Sequence, residues 1–195
     1  MEWLTTSTIL ERLHRFEDRG VWDLLVEHFH TPVVRLAEGM GLSASDAQDA
    51  AQETLLAFAE AYRAGKFDRN KGRLKHWLFG IAHRQGLKAR ERTRRDRSRR
   101  GGGVELEDLR DLSSEEELQE LWESEWRWAI YQKALRRVEQ EVTLETFKTF
   151  QLLVAEKVSV EDVCERLGVT RSTVYNAKHR VARRLAQLVE EYQDA

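Results

Sequence analysis

Apolar side chains recur three or four residues apart along most of the chain, and strand-like alternation is hard to find. Between positions 43 and 62, Ala51, Leu55, Phe58 and Tyr62 share one helical face, and polar side chains cover the opposite face. The same spacing predicts further helices within residues 9–20, 21–37, 73–95, 114–126, 126–138, 143–154 and 159–192. We therefore predict an all-α fold.

Residues that start or stop helices stand at the ends of these segments. The predicted N-caps are Thr8 or Ser7, Ser43 or Ser45, Ser113 or Ser114, Thr143 and Ser159. Gly20 is predicted to end the first helix, and Pro32 to interrupt or kink the second.

The segment from Ser159 to Leu185 has the pattern of a helix-turn-helix. Gly168 stands where the first helix must stop, and Val163, Leu167, Val169, Val174 and Ala177 take the packing positions between the two helices. From Gly168 to Leu185 there are five cations and no carboxylate, which favours DNA binding in the major groove. The alternative is an amphipathic helical hairpin with a solvated basic face.

Charge is strongly segregated, although the net charge of the 195-residue chain is only −2. Residues 84–100 hold nine cations and two anions, whereas residues 105–125 hold ten carboxylates and one cation. The glycines at 101–103 separate the two blocks and mark a boundary. We predict two small helical domains, residues 5–97 and 126–195, joined by an acidic linker over 98–125, with the helix-turn-helix in the C-terminal domain.

Composition excludes several classes of protein. A single cysteine, Cys164, rules out an intrachain disulfide framework, and no run approaches the roughly 20 apolar residues that span a bilayer. The six histidines show no metal-binding spacing such as H-E-x-x-H, and the glycines form no phosphate-binding loop. We expect a cytoplasmic protein that is not an enzyme, has no cofactor and does not bind a membrane.

Two motifs in the N-terminal half, followed by the helix-turn-helix, carry a family resemblance. Residues 46–53 read D-A-Q-D-A-A-Q-E, and residues 72–84 read G-R-L-K-H-W-L-F-G-I-A-H-R. In this order they resemble the extracytoplasmic-function sigma factors of bacterial RNA polymerase, group 4 of the sigma-70 family. The resemblance covers residues 9–97 and 126–192, and it implies a subunit that directs core polymerase to specific promoters.

The resemblance implies three sets of contacts. Core polymerase, through a coiled coil of its largest subunit, is expected to bind Asp46, Asp49, Gln52 and Glu53. The promoter's minus-ten element is expected to meet Phe67, Asn70, Lys71, Arg73, His76, His83, Arg84 and Lys88. The minus-thirty-five element is expected to meet Arg171, Ser172, Tyr175, Asn176, His179, Arg180 and Arg183, with Arg184 as a further phosphate contact. An anti-sigma factor is a further partner that the resemblance allows.

Several of these assignments leave alternatives open. Phe67 is a base-stacking residue or a core anchor, and Asn70 is a base-edge contact or a turn residue. Gln48, His83 and Lys88 depart from the family pattern, which leaves the base preference of the minus-ten helix open. A stand-alone helix-turn-helix transcriptional regulator would explain the C-terminal end, but not the two N-terminal motifs.

The inversion of charge across residues 101–103 suggests one more hypothesis. The acidic linker could fold back onto the basic helix end and cover the DNA-binding surface until core polymerase displaces it. The alternative is a solvated linker that keeps the chain soluble. Neutralising Glu115, Glu116 and Glu117 would separate the two readings.

Overall fold

A computed structural model describes residues 19–99 and 114–193, which are helical apart from short connections. Two compact units divide the chain, Met1–Ala129 and Ile130–Ala195. The helices are α1 (Arg19–Gly39), α2 (Ala44–Arg63), α3 (Leu74–Arg99), α4 (Glu115–Glu141), α5 (Leu144–Phe150), α6 (Val160–Leu167) and α7 (Arg171–Gln193), with a short 3-10 turn at Arg69–Lys71 between α2 and α3. No strand occurs in the described ranges, so the all-α prediction is confirmed.

Side-chain caps start four of the helices where the sequence predicts them. Ser43, Thr143 and Ser159 each accept a hydrogen bond from the backbone N–H three residues on. At the start of α4, Ser114 Oγ accepts from the Glu117 N–H at 3.2 Å, and the Glu117 carboxylate accepts from the Ser114 N–H at 2.6 Å. This reciprocal pair satisfies two donors that the first turn of a helix leaves open.

The predicted interruption of the second helix at Pro32 is wrong, because Pro32 stands in the interior of α1 without ending it. Proline removes one backbone donor there, but Pro32 is itself buried and Phe29 and Val33 beside it are only 2% exposed. Tertiary packing therefore outweighs the local preference. Gly20 is the second residue of α1 as described, and the first helix that it is predicted to end lies outside the described residues. The predicted first helix, with Thr8 or Ser7 as its cap, and the break at 101–103 lie outside the described residues.

The core of the N-terminal unit forms where α1, α2 and α3 pack against one another. Its largest buried side chains include Leu25, Phe29, Leu55, Phe58 and Leu78, each at most 2% exposed. Gly86 makes the close approach of α3 to this core possible, because a Cβ at this position would collide with Met40 Sδ. Close packing against Met40 therefore explains why a glycine stands at position 86 inside a long helix.

The first half of α4 belongs to the same core. Leu118 and Trp122 are 3% and 0% exposed, and Trp126 packs partly buried beside them, with its ring stacked on Phe29 at a centroid distance of 5.4 Å. The sequence predicts one helix from about 114 and another from about 126, whereas α4 runs unbroken through both. The second half of the predicted acidic linker is therefore ordered helix that buries two large side chains.

The C-terminal unit contains the end of α4 together with α5, α6 and α7. After Phe150 the backbone makes a π-helical turn over Gln151–Ala155. This wider turn changes the helical phase, so Leu152 is buried at 8%, whereas Val154 is 40% exposed and Leu153 is half-buried.

One ion-pair network links two helices of this unit. Glu141, the last residue of α4, accepts from Arg184 Nε at 2.6 Å and Arg184 Nη2 at 3.1 Å, and from Arg137 Nε at 2.6 Å. The hydrogen bond from Arg184 outweighs partial burial and, with help from Arg137, lowers the pKa of Glu141 to about 2. Glu141 therefore fixes the end of α4 against α7.

We expect Glu141→Gln to destabilise the protein by about 1 kcal/mol at pH 7, because a partly exposed pair contributes less than its full pKa shift suggests. The folded pKa lies below the ordinary value, so this stabilisation exists above about pH 4.5 and is lost as pH falls towards 2. Urea denaturation followed by circular dichroism should show a difference at pH 7 that falls by more than half at pH 3. Glu139→Gln, an exposed position on the same helix, is the control. An equal loss in both variants would contradict the assignment.

Candidate nucleic-acid interface

The four residues expected to contact polymerase lie along one side of α2, but they are not equally accessible. Asp46 accepts from Ser43 Oγ at 2.9 Å and from Thr93 Oγ1 of α3 at 3.4 Å. Glu53 pairs with Arg92 of α3 at 3.0 Å, and this contact raises the pKa of Arg92. Asp49 and Gln52 are exposed. The acidic face of α2 is thus tied at two points to the basic end of α3.

The loop before α3 is organised by Asp68. Its Oδ1 accepts from the Asn70 backbone N–H at 2.9 Å, and its Oδ2 lies 3.7 Å from Lys71 Nζ. The Asn70 and Lys71 side chains are exposed at the tip of this turn. Phe67 instead packs between Tyr62 and Trp77, with ring centroids 6.1 and 5.1 Å away. In this structure Phe67 is a core-edge anchor and does not project towards solvent.

The remaining residues expected at the minus-ten element lie at or on α3. Arg73 precedes the helix, and Arg84 and Lys88 are exposed on it. His83 is half-buried and stacks parallel to Phe79, with centroids 5.8 Å apart and an interplanar angle of 2°. His76 has its Nε2 3.4 Å from Glu123 of α4. These residues therefore lie at the start of α3 or along it, and each has different neighbours.

Glu123 is a partner of this region that the sequence analysis did not single out. Its other oxygen accepts from Lys75 Nζ at 2.7 Å, and both side chains are less than 30% exposed. Partial burial opposes ionisation, but the hydrogen bonds and charges of Lys75 and His76 outweigh it and hold the pKa of Glu123 below its usual value. Lys75 and Glu123 are 48 positions apart, and no local sequence pattern predicts a contact between them.

The basic end of α3 is less uniformly positive in space than in sequence. Glu91 accepts from Arg95 Nε at 2.9 Å and from Arg94 Nη2 at 3.5 Å, and these two partners lower the pKa of Glu91. Asp96 lies 3.9 Å from Arg99. These pairs are exposed and contribute little stability, so the guanidinium groups stay available to a phosphate backbone.

In the C-terminal unit, α6 and α7 form the predicted helix-turn-helix. Gly168 ends α6 in the left-handed conformation at φ 66°, and the next N–H, of Val169, donates to the Cys164 carbonyl at 3.2 Å. Val163 and Val174 are both 0% exposed and pack with Leu152. Of the five predicted packing positions, Val163, Val174 and Ala177 are confirmed as buried, whereas Leu167 and Val169 are only partly buried.

The opposite face of α7 carries the residues expected to read DNA. All seven are exposed, and Tyr175 is 50% exposed although its ring is large and apolar. Arg171 is the first residue of the helix and pairs with Glu161 of α6, Nη2 to Oε1, at 2.7 Å. Arg184 differs from its neighbours, since its guanidinium is bound to Glu141. Arg184 therefore has a structural contact between α4 and α7, and its expected phosphate contact stays a prediction.

Other kinds of site find no support in the described part of the chain. Within residues 19–99 and 114–193, no three His, Cys, Asp or Glu side chains are grouped so that they could hold a metal ion. None of the helices described there combines the length and apolar character needed to cross a membrane.

Comparison with known proteins agrees with the two units. Residues 25–96 match the family model Sigma-70 region 2, and residues 149–189 match the model Homeodomain-like domain. Over 191 residues, 94% of this chain and 95% of the relative, the sequence is 29% identical to the RNA polymerase sigma-H factor of Pseudomonas aeruginosa. The region 2 match contains α2, the loop after it and most of α3, and the second match contains α6 and most of α7. These matches show that the chain contains a sigma-70 region 2 domain followed by a homeodomain-like domain, and that it is similar over nearly its whole length to a sigma factor.

Proposed function

We propose that the chain is an extracytoplasmic-function sigma factor, which binds core RNA polymerase and brings it to promoters by contacting DNA with both of its units. The observation that carries the proposal is the combination of an exposed acidic face on α2 with exposed cationic and polar faces on α3 and α7. Cytoplasmic localisation and control by an anti-sigma factor belong to the same proposal through the family resemblance.

Core binding is assigned to the acidic face of α2. Asp49 and Gln52 are free to meet a basic coiled coil, and complementary charge would set the register and speed of association. Glu53 and Asp46 take part only after their contacts with Arg92 and Thr93 rearrange. Asp49 is therefore the most informative residue to change.

Opening of the minus-ten element is assigned to the Asp68-centred turn and α3. Asn70 has an amide that both donates and accepts, and its exposed position at the turn suits a base edge. Lys71 and Arg73 are exposed cations next to it in the chain, and Arg84 and Lys88 are exposed cations further along α3, suited to the phosphates of a separated strand. The bond-forming chemistry belongs to the polymerase.

Recognition of the minus-thirty-five element is assigned to α7. Arg171, Tyr175 and Asn176 stand at the N-terminal part of the helix, the part that contacts base edges in helix-turn-helix proteins. Arg180 and Arg183 lie further along and are exposed towards the backbone of a duplex. The ion pair with Glu161 holds Arg171 at this face before DNA arrives.

A reconstituted holoenzyme tests the proposal most directly. Core polymerase with the purified chain should retain promoter DNA from a random-fragment library and start transcripts at the selected sites. A stand-alone helix-turn-helix regulator would bind DNA without core polymerase, would not co-elute with core and would support no promoter-dependent initiation. That result would contradict the proposal.

Charge reversal at Asp49 should weaken core binding specifically. We expect Asp49→Arg to lower affinity for core polymerase about 10- to 100-fold, because it sets like charges against the basic partner. Fluorescence anisotropy of the labelled chain titrated with core measures the change. Glu27→Arg, an equal charge reversal at an exposed position on α1, is the matched control. Equal weakening by both variants would mean that overall charge, and not this face, governs binding.

Replacing Arg171 or Arg183 of α7 with alanine should change DNA binding in two different ways. Arg171→Ala should cost about 1–3 kcal/mol of discrimination at one base pair of the minus-thirty-five element. Arg183→Ala should weaken binding to all sequences alike and reduce the slope of log affinity against log salt by about one. Binding of the holoenzyme to the selected promoter and its single-base variants, at several salt concentrations, separates the two. A uniform effect of Arg171→Ala would contradict its assignment as a base reader.

A further inference from the structure

The acidic first half of α4 packs on the same helix that carries the proposed minus-ten contacts. Glu123 bridges Lys75 Nζ at 2.7 Å and His76 Nε2 at 3.4 Å, and His76 is one of those contacts. A phosphate that approached His76 from this side would meet a carboxylate already occupying the position. Glu123 therefore contacts part of the surface that, under the proposed function, binds DNA.

An apolar contact reinforces the ion pair. Trp122, one residue before Glu123, is 0% exposed, and its ring lies 6.0 Å from that of Phe79. Phe79 in turn stacks on His83, a second proposed minus-ten residue. Two of the proposed contacts on α3 are thus held by α4, one directly and one through a single aromatic ring.

The charge of this half-helix opposes nucleic acid. Between positions 115 and 125, α4 has six carboxylates and no cation, and most of them are exposed. The carboxylates repeat the sign of the DNA backbone beside the proposed binding surface, so they repel phosphates over distances of about a Debye length, roughly 8–10 Å at physiological salt. While this helix stays docked, α3 presents a weakened positive field.

The docked state also carries an internal penalty. Trp122 Nε1 is buried and has no hydrogen-bond partner among the described residues. Such an unsatisfied donor favours any state in which it reaches water, and this opposes the gain from burying the ring. The penalty therefore weakens the closed contact without abolishing it.

We propose that the first half of α4 is an intramolecular competitor of promoter DNA, which occupies the start of α3 in the free chain and leaves it when the holoenzyme engages the minus-ten element. The inference rests on the proposed function. It revises the expectation that Glu115, Glu116 and Glu117 would cover the basic end of α3. The contact is made by Glu123, and it lies at the opposite end of that helix.

The alternative is a purely structural contact that completes the core of the N-terminal unit in every state. The two readings differ in what the loss of one charge does to DNA binding. Glu123→Gln removes the bridge to Lys75 and His76, whereas Glu120→Gln removes the same charge three residues away, at an exposed position without an ion pair to any described residue. General repulsion of DNA would fall equally in both variants.

The first experiment measures binding of the free chain to a labelled single-stranded oligonucleotide that carries the non-template minus-ten segment of the selected promoter. We expect Glu123→Gln to tighten binding about fivefold, a change that corresponds to one partly exposed ion pair, and Glu120→Gln to tighten it less than about twofold. Circular dichroism of both variants verifies that the fold is kept. Equal changes, or no change in Glu123→Gln, would overturn the proposal.

The second experiment uses amide hydrogen exchange of the unaltered chain. Exchange at positions 115–126 should become faster when core polymerase and promoter DNA are bound, because this half-helix leaves its apolar seat. Unchanged or slower exchange would overturn the proposal. Initiation at the selected promoter by the wild-type holoenzyme is measured in parallel. If initiation occurs and exchange does not change, the competitor fails while the sigma function stands; absence of initiation would instead contradict the sigma function itself.

Discussion

The structure of the N-terminal unit depends on the apolar packing of α1, α2 and α3 around Phe29, Leu55, Phe58 and Leu78. Once these side chains are buried, the helical period dictates where every polar residue of α2 and α3 must lie. The acidic face of one helix and the basic end of the other then become neighbours, and Glu53 meets Arg92 across 39 residues of sequence. The acidic face of α2 and the basic end of α3 thus partly neutralise each other.

Local features of the fold could be predicted from the sequence because their causes are local. Ser43, Thr143 and Ser159 cap helices through bonds to the third residue on, and Gly168 ends α6 because its φ of 66° suits glycine. The failures have non-local causes. Burial holds Pro32 within a helix, and the π-helical turn after Phe150 shifts the phase that periodicity assumes.

In the candidate site, too, the features with local causes could be predicted and those with non-local causes could not. Exposure of the α7 residues follows from helical spacing and could be predicted, whereas pairing between distant elements could not. Arg183 and Arg184 are adjacent and chemically identical, yet of the two only Arg184 pairs with Glu141. The sequence does not predict this partner, because the carboxylate is 43 residues away from Arg184. The contacts of Glu123 could not be predicted for the same reason. Glu123 is one of many carboxylates in its segment, and their number suggested a solvated linker.

The strength of the α4 contact sets what it can do. A switch from about 1% to 99% open needs roughly 5.5 kcal/mol of differential binding, which is less than half of the about 12 kcal/mol that a nanomolar partner releases on binding. Buried Trp122 and Leu118 contribute several kcal/mol to the closed state, while the unpaired indole N–H subtracts from it. If the Trp122 indole N–H had a hydrogen-bond partner, the docked state of α4 on α3 would be more stable. With the Glu123 ion pair alone, and no buried apolar side chains, the docked state would be barely stable. The observed contact has buried apolar side chains, one bridging carboxylate and one unpaired donor, so its stability lies between these two cases, where binding of polymerase and DNA can reverse it.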